Sequence, residues 1–305
     1  ARQSYERHIA AVNEAETFAH KRRYWSARTS IPPASPPVSF TALAPVLRGL
    51  LGEAGGENPR RYLLHLRQSP AIFDFVSDAK LESLSQVGCA TPDHVIRTKR
   101  FPLVLRLDPG LDIAQQAPAI EEQLQSYRRA YRAYVERQRA RKNIDVKPLD
   151  PDPRIVLVPG LGVIGIGGSD KDARIAADIY EHTIEVIRNA EAVGRYETLP
   201  EDDVFDMEYW SLEQAKLGKA QPKPLDRRVV YITGAASGIG EACARAFAKA
   251  GATLYFVDRD DARLAKLAQE LRAAHEVLDV SNEPAVRASL DHVVQRFGGL
   301  DGVIS

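Results

Sequence analysis

The sequence predicts an α/β fold in two parts, and three observations carry that expectation. A β-branched and aromatic run, VVYI at Val229–Ile232, is followed at once by a glycine-rich turn and a stretch with helical apolar spacing, as a buried parallel strand feeding a helix requires. DPRIVLVPGLGVIGIGGSDKDARIAADIYEHTIEVIRNAEAV, at 152–193, reads as strand, tight turn, strand and long helix. Between the two units lies GKAQPKPLDRR, poor in apolar residues and interrupted by Pro222 and Pro224, which reads as a linker. A chain of 305 residues accommodates two domains, each with its own core. The expected boundary puts residues 1–221 in the first and 222–305 in the second.

Composition narrows the function classes. Apolar residues make up 44% and charged residues 27%, the balance of a globular protein, and the formal net charge is zero, which gives no global field for nucleic acid or anionic lipid. No apolar run approaches bilayer length, and Cys89 and Cys243 stand far apart without metal-type spacing, so a soluble protein of the reducing cytoplasm is expected, with no membrane partner.

The elements follow in order. YERHIAAVNEAETFAHKRRYW has apolar residues at helical spacing, and SIPPASPPVSF breaks it. FTALAPVLRGLLGEAG reads as a helix ending at glycine, and RYLLHLRQSP as a short strand. SPAIFDFVSD starts a helix with Ser69 as cap and Pro70 in its first turn. The basic run RRAYRAYVERQRARKN reads as one helix whose Tyr127, Tyr131 and Tyr134 pack inward beneath a solvated basic face. PGLGVIGIGG carries a glycine triplet at Gly160, Gly162 and Gly165. A hairpin is expected there, because the helix begins only near Asp170, which Ser169 or Asp170 caps, and no strand ending in an acid follows.

The second unit carries a binding motif. In TGAASGIG, Gly234 permits the sharp exit from the strand, Gly238 lets backbone amides approach a pyrophosphate, and Gly240 allows helix and strand to pack closely. Ser237 and Ile239 lie between these glycines. The helix N-terminus offers free N–H groups to the phosphates. ATLYFVD supplies a second strand ending in Asp258, where a carboxylate accepts from the ribose hydroxyls and repels a 2′-phosphate, favouring NAD; Arg259 next door is the counter-signal.

TGAASGIG, VDRD and LDVSN resemble the short-chain dehydrogenases/reductases. That resemblance implies that Asp279 and the Val280 backbone line an adenine pocket. It also implies that the catalytic Ser, Tyr and Lys lie beyond Ser305, so no catalytic residue is assigned in this chain. The hairpin and the helix after it resemble the C-terminal part of the class II, zinc-dependent sugar-phosphate aldolases. With PDHVIRTK before and EYWSLEQAKL after, and a dehydrogenase following, the order resembles the bifunctional rhamnulose-1-phosphate aldolase/alcohol dehydrogenase family. This implies a partial aldolase-like α/β domain followed by the N-terminal half of a Rossmann sheet, an interior portion of a longer enzyme. The implied chemistry is zinc-dependent cleavage of a ketose 1-phosphate to dihydroxyacetone phosphate and lactaldehyde, then NAD-dependent oxidoreduction of the aldehyde or alcohol, in a homo-oligomer acting on small molecules.

Of the family's zinc ligands, the sequence has no His-x-His pair, and Leu161 stands where an Asn-His-Gly histidine would fall. His94 is the remaining candidate, as a metal ligand or as a turn histidine. His182, on an apolar-patterned helix, is expected to be a packing or hydrogen-bonded histidine. Arg97, Lys99 and Arg100 suit a substrate phosphate or a solvated strand edge. Two other readings stay open: a dinucleotide-binding scaffold without catalysis, and a monofunctional dehydrogenase with an N-terminal interaction domain.

Overall fold

A computed structural model of the chain describes residues 2–21, 38–52, 60–215 and 223–305. The boundary expected at 221/222 and most of the proline-rich SIPPASPPVSF lie outside the described residues.

The chain opens with helix α1, Arg2–Lys21. Its apolar residues Tyr5, Ile9 and Val12 are exposed. Helix α2, Phe40–Leu50, starts where the Ser39 hydroxyl accepts from the Ala42 amide, and it buries Leu43, Ala44 and Leu47. Strand β1, Leu63–Arg67, leads into α3, Pro70–Val76, with Ser69 accepting from the Ile72 amide and Pro70 in the first turn, as the sequence implies. Short helices α4, Leu81–Ser85, and α5, Val95–Thr98, precede strand β2, Leu103–Val104.

Helix α6, Ile113–Lys142, contains the basic run. Tyr131 and Tyr134 are buried and the Tyr127 hydroxyl donates to the Phe101 carbonyl, which bears out the inward tyrosine stripe. The basic face departs from expectation at one position: Arg128 also turns inward, and its Nε donates to Asp152 at 2.6 Å.

The hairpin forms. Strands β3, Ile155–Val158, and β4, Gly162–Gly167, pair antiparallel, and helix α7, Asp170–Val193, follows with Ser169 as cap. Gly165 belongs to close packing and not to phosphate binding, because a Cβ there would lie 2.2 Å from the Ala173 carbonyl of α7. The sheet runs β1-β4-β3-β2. On β3, Val156 and Val158 face α2 and α6, while Ile155 and Leu157 face α3 and α7, so the strand is buried on both sides and reads as a continuous apolar run. Helices α8, Glu201–Glu208, and α9, Ser211–Ala215, close this half.

The second half alternates strictly: β5, Val229–Thr233; α10, Gly238–Lys249; β6, Thr253–Asp258; α11, Asp261–Leu271; β7, Ala274–Val277; α12, Glu283–Phe297; β8, Gly302–Ile304. All pairings are parallel, in the order β7-β6-β5-β8. The chain moves outward from β5 to β7 and then crosses to the other side of β5, which makes the C-terminal end of β5 the topological switch point.

The halves share a packed boundary. Leu63 of β1 sits in one cluster with Val229, Tyr231 and Phe297, and Val294 of α12 packs on the core of the first half. Arg48 of α2, 4% exposed, donates from Nη1 and Nη2 to Asp301 at 3.1 and 2.5 Å and from Nε to the Tyr62 carbonyl at 2.6 Å.

Candidate functional site

Parallel pairing brings the motif residues of the second half to one edge. The Gly234–Gly240 turn leaves the end of β5, Asp258 ends β6, and Asp279 follows β7. Gly234 has φ of 60° and Gly238 has φ of 56°, left-handed values that suit glycine, and a Cβ on either would meet nothing within 4 Å. Open space therefore lies above both. Gly240 is the reverse: a Cβ there would fall 2.1 Å from the Gly234 carbonyl oxygen, so only glycine lets α10 start this close to the turn. Ser237 takes the N-cap position of α10, yet its hydroxyl makes no capping bond, which leaves it for a ligand. Ile239 is 84% exposed and Val280 55%, a pair of apolar groups at the rim.

Asp258 is held in place by backbone. One carboxylate oxygen accepts from the Ala236 amide at 2.9 Å and the other from the Asp260 amide at 3.0 Å. Partial burial disfavours its charge, but the amides of Asp260 and Ala236 outweigh it and hold the carboxyl below the usual range. Asp279 accepts from the amide and hydroxyl of Ser281, which lower its pKa in the same way, and Arg259 lies 3.7 Å from it. Arg259 is thus turned toward Asp279 at the rim.

The candidates of the first half do not converge. Arg97 pairs with Asp172 at 3.2 Å, Arg100 with Glu201 at 2.7 Å, and Lys99 turns inward. Lys99 has φ of 63°, and this left-handed turn reverses the chain and sends its ammonium into the core. There Nζ donates to the Asp150 carbonyl at 2.8 Å and lies 3.6 Å from the centre of the Tyr131 ring and 3.8 Å from Glu208. Burial pulls the Lys99 pKa down to about 8, against the attraction of Glu208. Burial also raises the pKa of Glu208, which accepts from the Tyr131 and Tyr134 hydroxyls. The basic trio is therefore neither a phosphate cradle nor a solvated edge.

His94 is half-buried, its Nδ1 has no hydrogen-bond partner, and burial first, with His182 nearby, lowers its pKa against Asp93. Among the described residues no group of three or more His, Cys, Asp or Glu could hold a metal ion, so the donors present around His94 do not by themselves fit zinc. His182 is 64% exposed at its side chain and so does not pack into the core; its Nδ1 lies 4.0 Å from Glu185 one turn on. The buried Arg128–Asp152 and Lys99–Glu208 pairs escaped sequence reading because the partners belong to different elements.

The fold and the crevice define an α/β protein in which a mixed-sheet domain precedes a dinucleotide-type parallel sheet. Residues 39–217 match the family model "Aldolase class II, second domain", more than half of the chain, and residues 228–305 match "short chain dehydrogenase". The chain belongs to the class II aldolase second-domain family, here fused to a short-chain dehydrogenase domain.

An uncharacterized oxidoreductase of Bacillus subtilis, YuxG, is 29% identical over 303 residues, 96% of this chain and 42% of that protein. The L-fucose dehydrogenase of Oryctolagus cuniculus is 47% identical over 79 residues, 26% of this chain and 28% of that one. Among solved structures, a 3-ketoacyl-(acyl-carrier-protein) reductase from Brucella melitensis complexed with NADH is 40% identical, with a TM-score of 0.24, over 25% of this chain and 32% of that one. The chain thus spans less than half the length of each relative. Among the described residues no helix is long and apolar enough to cross a membrane.

Proposed function

We propose that this chain is part of a two-activity enzyme in which an aldolase domain and an NAD-dependent dehydrogenase domain handle successive steps on a small sugar-derived substrate. One observation carries the coenzyme assignment: the open turn at Gly234–Gly240, whose three glycines clear the space above it and let α10 start close to it, with Asp258 fixed by backbone amides beside it. Amides at Ser237, Gly238, Ile239 and Gly240 would hold the pyrophosphate, Asp258 the adenosine ribose, and Asp279 with the Val280 backbone the adenine. Bound there, the coenzyme supplies a hydride acceptor or donor. The chain's residues bind and orient it, and the charged Asp258 disfavours a 2′-phosphate.

For the aldolase half, the family match and the fusion order support cleavage of a ketose 1-phosphate of the rhamnulose type to dihydroxyacetone phosphate and lactaldehyde, with oxidoreduction of the aldehyde following. The L-fucose dehydrogenase relative agrees with a sugar-related substrate for the second half. Zinc chemistry at His94 would need further ligands from outside the described residues.

The test is calorimetric titration of the chain with NAD and NADP. Saturable binding with NAD at least tenfold tighter supports the reading, and absence of binding to either, in folded protein, defeats it.

A further inference from the structure

Below the coenzyme crevice, on the face of the parallel sheet that α12 covers, a chain of hydrogen bonds crosses three strands. The Tyr231 hydroxyl of β5 donates to Ser289 Oγ of α12 at 3.0 Å, and the Ser289 hydroxyl donates onward to the Glu276 carboxylate of β7. The Tyr255 hydroxyl of β6 donates to Oε2 of the same carboxylate at 2.9 Å, and Nδ1 of His292 on α12 lies 3.3 Å from that oxygen. Tyr231 and Tyr255 face each other in the β5–β6 register, and their rings stack with centres 5.8 Å apart.

The placement of this tie matches the layout of the crevice. Tyr231, Tyr255 and Glu276 each stand three residues before a group of the site: Gly234 of the turn, Asp258 after β6 and Asp279 after β7. At about 3.3 Å per residue in a strand, the tie crosses the sheet about 10 Å below the rim. Above it the Leu278 amide donates to the Asp258 carbonyl at 2.9 Å, and the Ala236 amide donates to the Asp258 carboxylate at 2.9 Å. Whatever fixes the spacing of the three strands therefore fixes the spacing of the turn and the two acids.

The network is complete, and its geometry is directional. Tyr231 is 1% exposed and Ser289 is fully buried, so a hydroxyl left without a partner there would be costly. Partial burial disfavours the Glu276 charge, but the Ser289 and Tyr255 hydroxyls, with His292, outweigh it and hold the carboxyl below its usual range. Burial, and then that carboxylate, push the Tyr255 hydroxyl up, which keeps its proton on the oxygen as a donor. Apolar side chains would fill this face of the sheet without favouring one strand spacing over another. Hydroxyls aimed at a single carboxylate favour one.

We infer that Glu276 is a positioning residue for the coenzyme: with Tyr255, Ser289 and Tyr231 it sets the spacing of β5, β6 and β7, and so places Asp258 and Asp279 relative to the glycine turn. These side chains act through the strands that carry them and not by contact with the coenzyme. The inference rests on the coenzyme assignment made above and assigns residues outside the glycine turn and its two acids.

The experiment combines calorimetry of the chain with NAD and hydrogen exchange of the coenzyme-free chain, read on peptides spanning residues 277–281. Glu276→Ala should weaken NAD about tenfold and speed exchange at 277–281 about tenfold. Glu276→Gln, whose amide oxygen still accepts from the hydroxyls, should stay within about threefold of the parent on both readouts. Tyr255→Phe should weaken NAD about threefold, and Tyr255→Phe/Glu276→Ala should bind no worse than Glu276→Ala alone, because both remove the same tie. Tyr255→Phe deletes a single oxygen, so it keeps the test decisive should Glu276→Ala fail to fold. Parent-like binding and exchange in Glu276→Ala would overturn the inference. So would a Gln variant as weak as the Ala variant, since the loss would then follow the charge and not the tie. If the parent does not bind NAD, the coenzyme assignment falls by itself, and unchanged exchange at 277–281 in Glu276→Ala would separately show that the tie holds nothing in place.

Discussion

The two halves treat charge in opposite ways. In the first, Arg128, Asp152, Lys99 and Glu208 are all less than 9% exposed and pair across α6, α8 and the loops between them. In the second, Ser289 is the buried polar residue among those described, and Asp258, Asp279 and Arg259 sit at the rim of the crevice. The first half uses desolvated ion pairs to fix how its helices meet. The second builds its site from backbone amides and glycine clearance, with an apolar interior beneath.

Breaking a buried pair should give the largest effect. Arg128→Met strands the Asp152 carboxylate, which is 2% exposed, and should cost about 3–5 kcal/mol in urea unfolding of the chain. The double variant Arg128→Met/Asp152→Leu should recover most of that loss, and a double variant as unstable as the single one would show that the pair's geometry, not its charge, matters.

Gly240→Ala probes the contrasting strategy. Its Cβ meets the Gly234 carbonyl, so the turn must shift, and NAD affinity should fall about a hundredfold, roughly 3 kcal/mol, while the first half keeps its unfolding midpoint. Asp258→Ala removes a charged acceptor and should weaken NAD by about tenfold, some 1.5 kcal/mol, while affinity for NADP falls less or rises.

The smallest effect concerns His65 on β1, whose pKa is pulled down to about 4 by burial and by Arg174 and Arg67. Its folded pKa lies below the unfolded value of 6.5, so the unfolded chain takes up more protons between pH 6.5 and 4, and stability falls as pH falls through that window. With the ring partly exposed and screened by solvent, the loss should be about 1 kcal/mol or less. His65→Gln should flatten that limb of a stability-against-pH curve.

Legibility followed the same division. The crevice was readable because its requirements are local: a glycine needs φ near 60° at 234 and 238, and parallel strands must end in a polar turn. Ser69 and Ser169 announced their helices for the same reason, since a cap bonds an amide three residues on. The basic trio misled because the left-handed turn at Lys99 sends one side chain inward and leaves its neighbours to Asp172 and Glu201, residues far along the chain. His182 stays exposed because the apolar stripe of α7 passes beside it without including it.

By itself the sequence determined the two-part α/β order, the hairpin, the tyrosine stripe and the glycine turn, all consequences of periodicity and backbone sterics acting over a few residues. Only the tertiary structure decided which charges would be buried together, how Arg48 and Asp301 join the halves, and that three arginines from separate segments would gather around Tyr62. Desolvation and pairing depend on which groups the folded chain brings within a few ångströms, and separation along the chain does not encode that.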